Sequence, residues 1–126
     1  MSIINNTPHV VNVISPTDCR FDSTIRKWVT SSDVTPQATL ESQGMLNAKI
    51  ETKDAPSLDD IPMFDKQIIA CDPVPDDSNY HIVSALYASA ARKMGYDTSR
   101  LLLVADPVMS EDGKTFIGCR GLTGIF

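Results

Sequence analysis

Residues 80–95 read YHIVSALYASAARKMG, and the hydrophobic period changes inside them from two to helical. Tyr80, His81, Ile82 and Val83 run as a brief strand. Ser84 then offers a hydroxyl to an orphan backbone N–H at a helix start. Leu86, Ala90 and Met94 recur on one helical stripe, which Tyr87 and Ala91 broaden. Arg92 and Lys93 complement the dipole of the last turn, and Gly95 suits the left-handed position that ends it. The stretch therefore predicts one short strand leading into a helix over 85–94.

Toward the C-terminus, Leu101, Leu102, Leu103 and Val104 make an apolar strand. Asp112-Gly113 reads as a tight type I′ turn between strands at 108–110 and 114–119. On the second of these, Phe116, Gly118 and Arg120 share one side, with Thr115, Ile117 and Cys119 on the other. Toward the N-terminus, Val10, Val11, Val13 and Ile14 form a β-branched strand after Pro8. Residues 19–30 suit either a short strand pair or a helical turn. A polar excursion over 31–44 reads as a loop, and 45–52 as a strand with Leu46, Ala48 and Ile50 on one side. The acidic, Pro-containing stretch 54–60 reads as an exposed connection, and 61–71 as two short strands around Asp65-Lys66. The sum is one α+β domain over 1–126, compact, with a mostly antiparallel sheet and one principal helix.

The net charge of −5 argues against a partner of duplex nucleic acid, whose phosphates call for a positive surface. A small nucleotide in a local basic pocket remains compatible with it. The three cysteines, Cys19, Cys71 and Cys119, form no C-x-x-C pair, so neither a zinc site nor a thioredoxin-like motif is written here. Their odd number fits a reduced, cytoplasmic protein better than a disulfide framework. No apolar run reaches membrane-spanning length, and MSIINNTPHVVNVI lacks the pattern of a secretory leader.

Several residues carry chemistry. Arg120, flanked by Gly118 and Gly121, suits bidentate contact with phosphate; it equally suits a rim arginine paired with Asp106. His9 can meet a phosphate or ribose oxygen, act as acid or base, or pair with backbone at a strand edge. His81 falls on the solvent side of its strand in the period-two reading. Tyr80 and Phe116 can stack on a base or close the core. Cys119 reads as a small core residue. Asp54, Asp59, Asp60, Asp76 and Asp77 lie in turn-rich stretches and read as solvated rather than as catalytic carboxylates. There is no P-loop, Rossmann fingerprint or H-E-x-x-H, and the sequence points to no catalytic residues, metal or cofactor.

Ile4-Asn5-Asn6-Thr7-Pro8-His9-Val10-Val11, Tyr80-His81-Ile82-Val83-Ser84, Asp112-Gly113 and Ile117-Gly118-Cys119-Arg120-Gly121-Leu122 together resemble a family of small proteins encoded by tailed bacteriophages and prophages. Many of its members are described only as hypothetical. The polar 31–44 segment is longer than in that pattern. A looser resemblance is to the anti-Thoeris sponge proteins of phages, non-enzymatic α+β oligomers that sequester cyclic ADP-ribose-type messengers. That resemblance implies a viral counter-defence protein of the host cytoplasm, a homo-oligomer holding an anionic nucleotide-derived ligand without hydrolysing it. Under it, Arg120 contacts phosphate, Tyr80 or Phe116 packs on adenine, and His9 or Asn79 meets ribose or phosphate edges. The alternatives are an accessory protein acting through a host or viral protein partner, and a small hydrolase built on His9 and His81.

Overall fold

The computed structural model describes residues 2–125. The strand–helix unit read from residues 80–95 is present: a strand over Tyr80–Ile82 leads directly into a helix over Ala85–Lys93. In chain order the strands are β1 (Ile3–Asn5), β2 (Val11–Val13), β3 (Cys19–Asp22), β4 (Lys27–Thr30), β5 (Ala38–Leu40), β6 (Ala48–Leu58), β7 (Ile61–Cys71), β8 (Tyr80–Ile82), β9 (Leu101–Ser110) and β10 (Phe116–Gly124), with helix α1 (Ala85–Lys93) between β8 and β9.

The β8–α1 junction forms as the sequence predicts. The Ser84 hydroxyl accepts from the Tyr87 backbone N–H at 3.1 Å, and Gly95 takes a φ of +83° just past the last turn. The buried face of the helix differs from the expected stripe. Tyr87, Ala88, Ala90 and Ala91 are buried, while Leu86 and Met94 point to solvent. The three small alanines let α1 lie close on the sheet, and Tyr87 fills the space left between them.

β9 organises the sheet, whose order is β1-β8-β9-β10-β2-β5. One edge of β9 pairs antiparallel with β10 along most of its length. The other edge is shared: β8 runs parallel to its first residues and β4 parallel to its last. The β3–β4 hairpin resolves residues 19–30 as a strand pair. Within the polar 31–44 excursion, β5 pairs antiparallel with β2. The antiparallel ladders carry most of the registered pairs and the parallel ones are short, giving an α+β fold with a mixed sheet and one principal helix.

The two ends of the sheet meet. Asn5 of β1 forms a parallel bridge with Ser42 just beyond β5, and its carbonyl accepts from the Gln43 N–H at 2.8 Å. Its buried side chain stitches the seam: Nδ2 donates to the His9 and Leu40 carbonyls at 2.7 and 2.9 Å, and Oδ1 accepts from the Thr7 N–H and hydroxyl. One apolar cluster, around Val11, Ile82 and Cys119, packs with Leu40, Leu102 and Leu122. A second lies under α1, where Val83, Tyr87, Ala88, Ala91 and Leu101 meet Leu46, Cys71 and Ile125.

Residues 48–71 depart most from the sequence reading. The expected connection at 54–60 and the two expected short strands at 61–71 are instead one long antiparallel ribbon, β6–β7. Pro56 is accommodated where the register slips between Ala55 and Leu58. Asp59 and Asp60 both have positive φ, 49° and 64°, as the central pair of a type I′ hairpin turn requires. At the β9–β10 turn, by contrast, Gly113 has a φ of +74° and Asp112 does not enter the positive region, so the expected type I′ turn is not formed there.

Candidate functional site

An apolar cleft of about 350 Å³ opens beside the N-terminus of α1, across β2, β9 and β10. Val11, Val83, Leu103, Val104 and Phe116 supply its walls, and Gly118 its floor. The floor requires glycine: a Cβ at Gly118 would stand 2.5 Å from the Asn12 carbonyl oxygen. Thr7, His9, Asn12 and Ser84 bring polar atoms to the same cleft.

Most of those polar atoms are committed within the protein. Thr7 donates to Asn5, Asn12 Oδ1 accepts from the Thr39 hydroxyl at 3.0 Å, and Ser84 caps α1. The His9 imidazole differs. Its backbone carbonyl belongs to the Asn5 seam, while its ring has no hydrogen-bond partner among the described residues. A cleft with apolar walls, one uncommitted imidazole and a helix N-terminus at its edge can take a flat ring and meet an attached acceptor group. Phe116, 57% exposed, presents its ring to the cleft instead of closing the core.

The other residues singled out from the sequence stand elsewhere. The Arg120 guanidinium lies over the Trp28 ring, 3.6 Å from its centroid, and donates to Asp106 Oδ2 at 3.2 Å. Its Nε is buried without a hydrogen-bond partner among the described residues. Asp106 holds a φ of +52° immediately before Pro107, a conformation that leaves it beside Arg120 on the adjacent strand. Phe21 meets the other side of this cluster edge-on, with ring centroids 5.4 Å from Trp28. Tyr80 lies under the Arg100 guanidinium at 5.7 Å. Asn79 accepts from the Ser2 backbone N–H at 3.0 Å, tying the β1 start to β8. The structure thus brings His9 and Phe116 together and leaves Arg120, Tyr80 and Asn79 outside the cleft lining.

His81 corrects the sequence reading. Its side chain is buried, not on the solvent side of β8. Nδ1 stands 2.6 Å from Asn6 Oδ1, and Nε2 stands 2.9 Å from Asp77 Oδ1. Asn6 donates its amide N–H to the Gly44 carbonyl at 2.8 Å, which turns its oxygen toward the ring. Both ring nitrogens therefore face side-chain oxygens. The hydrogen bond from His81 is the first cause that holds the Asp77 carboxyl below its ordinary value, helped by the Asn79 N–H. The acceptors could not be read from His81 itself, since Asn6 comes from a distant segment and Asp77 from the preceding turn.

This arrangement leaves neither nitrogen of His81 available to a substrate. Desolvation raises the Cys119 thiol above its usual value, and it raises Cys71 with help from the neighbouring Asp72 charge. Among the described residues, no three His, Cys, Asp or Glu side chains stand together as a metal site. No helix of the described residues is long and apolar enough to cross a membrane. Compared with known proteins, the chain matches no family model, no curated protein and no solved structure.

Proposed function

We propose that the protein binds a nucleotide-derived small molecule without transforming it, and that its cleft takes the ring of that ligand. The supporting observation is the pairing of apolar walls with the uncommitted His9 imidazole beside the N-terminus of α1. In this reading the base packs between Phe116 and Val104, and His9 meets phosphate or ribose oxygens at the rim. Arg120 stays with Trp28 and Asp106, outside the contact. The phage resemblance supplies the biological setting of the proposal: sequestration of an immune messenger in an infected host cell, with cyclic ADP-ribose-type molecules and cyclic oligonucleotides as the ligand classes.

Isothermal titration with cyclic ADP-ribose isomers and cyclic dinucleotides tests the reading, with mass spectrometry of the recovered ligand. Saturable binding of an intact ligand is expected, weakened roughly tenfold or more by His9→Ala and by Phe116→Ala. Arg120→Ala should leave the affinity unchanged. No binding across the panel, or a ligand recovered cleaved, would overturn the proposal. Loss of binding in Arg120→Ala with His9→Ala unaffected would move the site to the Trp28 cluster. A protein partner is the second reading, favoured by the exposed β6–β7 ribbon.

A further inference from the structure

A second cavity, also of about 350 Å³, lies next to the cleft. Leu103 of β9 and Ile125, just past β10, form one wall, and Ala85, Ser89, Arg92 and Lys93 of α1 form the other. Ala85 and Leu103 line both cavities, so the two are neighbours across that pair of side chains. Each alone stands near the lower end of the range of about 300–1,000 Å³ for ligand pockets.

The helix sequence makes the second wall. Ala85, Ser89, Arg92 and Lys93 follow one another at i, i+4, i+7 and i+8, the spacing of a single helical stripe. That stripe faces away from the buried Tyr87, Ala90 and Ala91, and all four of its residues are exposed. Small side chains over its first turns leave the groove open, and the two cations stand at its far end.

Charge distinguishes the two cavities. The cleft takes its polar atoms from neutral side chains and His9. In the second cavity Arg92 and Lys93 bring positive charge, while α1, residues 101–105 and residues 121–125 contain no acidic residue to oppose it. Within a chain of net charge −5 this is a local positive site. Arg92 is also engaged within the protein; a guanidinium has five N–H donors, and the Lys93 ammonium adds three. The helix dipole places about half a negative charge at this end, which two full positive charges exceed.

The helix also sets a length. From Ala85 to Lys93 it rises about 12 Å. A mononucleotide with its base in the cleft carries its phosphate one sugar away, short of the cations. A ligand with a second phosphate-bearing unit crosses Ala85 and Leu103 and reaches them. We infer that Arg92 and Lys93 form an anion subsite for the far phosphate of a two-phosphate ligand whose ring occupies the cleft. The inference rests on the cleft reading proposed above, and adds to it a contact that involves neither Arg120 nor the His9 imidazole.

Isothermal titration of the full chain with paired probes tests it: cyclic ADP-ribose against AMP, and cyclic di-GMP against GMP. In at least one pair the two-phosphate probe should bind at least about tenfold more tightly than the mononucleotide. The double variant Arg92→Gln, Lys93→Gln should close that gap, leaving the mononucleotide affinity within about twofold of its native value. Lys93→Arg should keep the gap, and circular dichroism checks that α1 survives each change. A gap that persists in the double variant would overturn the inference. So would an equal loss for both probes, or a mononucleotide that binds the native protein as tightly as its two-phosphate counterpart. In each of these cases the cleft reading stands, because a ring-bearing probe still binds the native protein. No binding by any of the four probes would overturn the cleft reading and the subsite together.

Discussion

The sheet with its helix and the β6–β7 arm are held in opposite ways, and the arm is the more densely charged of the two. In the body, Tyr87, Ile82, Val29 and Val108 are withdrawn from solvent, and the seam residue Asn5 satisfies its side chain entirely within the protein. In the arm, the backbone ladder closes while most of the side chains on both faces remain in water. Backbone pairing can therefore define an element's shape without burial defining its stability. The body is stabilised by burial, whereas the arm is held by its backbone ladder and by the clamp at its base, where the Asn47 N–H donates to Asp72 Oδ2.

Truncating an aromatic ring in each region should break the comparison most sharply. Tyr87→Ala removes a fully buried ring and the hydrogen bond from its hydroxyl to the Asp72 carbonyl at 2.9 Å. Chemical denaturation should show a loss of about 3–5 kcal/mol. Burial pushes the Tyr87 hydroxyl up to about 12, with the Cys71, Asp72 and Tyr96 charges adding to it, so it remains a donor through the neutral range. Phe64→Ala, at a side chain 56% exposed, should change stability by no more than about 0.5 kcal/mol. Equal losses in the two variants would show that the arm is buried against its own body.

A smaller effect sharpens the contrast from the arm side. Asp60→Gly relieves a side chain held at a φ of +64° in the hairpin turn. It should strengthen the ribbon by about 0.5–1 kcal/mol, read as slower amide exchange in β6 and β7 with exchange under α1 unchanged. Slowing spread evenly over the molecule would mean that the arm and body open together.

The smallest expected effect is a dependence on acid in the body. The Asp77 carboxyl is held below its ordinary value of 3.8 by the His81 hydrogen bond first and the Asn79 N–H next. Its contribution is present above that ordinary value and is lost as pH falls through the depressed one. Acid titration of unfolding should therefore be shallower below about pH 4 in Asp77→Asn than in the native protein. Asp97 and Asp112, held down by local hydrogen bonds, should keep part of the slope in both. Identical slopes would separate Asp77 from the acid response.

The contrast also explains what the sequence disclosed. Ser84, Gly95 and the apolar run at Leu101 announced the β8–α1–β9 unit because each acts through its neighbours along the chain. Strand character was legible at 45–52 and 61–71, but the continuity of the arm through 54–60 was hidden, because a ribbon largely wet on both faces need not alternate throughout: Lys53, Asp54, Asp65 and Lys66 interrupt its apolar residues. Its Asp59-Asp60 turn also lacks the Asn-Gly signature. Of the site, His9 and Phe116 were legible as residue types, but their meeting depends on β2 lying beside β10. Arg120 was legible as a cation; Trp28 beneath it and the burial of His81 between Asn6 and Asp77 were settled only by tertiary contacts.

The Asn5 seam has a consequence for the order of assembly. Its side chain needs the 7–9 turn and Leu40 in place, while its backbone joins β8 at Ile82 and Gln43 beyond β5. These partners come from three separated parts of the chain, so loop closure sets the timing and the seam completes after the β8–α1–β9 unit has condensed. A nascent chain must extend past β8 before its own beginning can be locked. The first strand made thus settles only after the middle of the chain, and Asn5 serves as the latch between them.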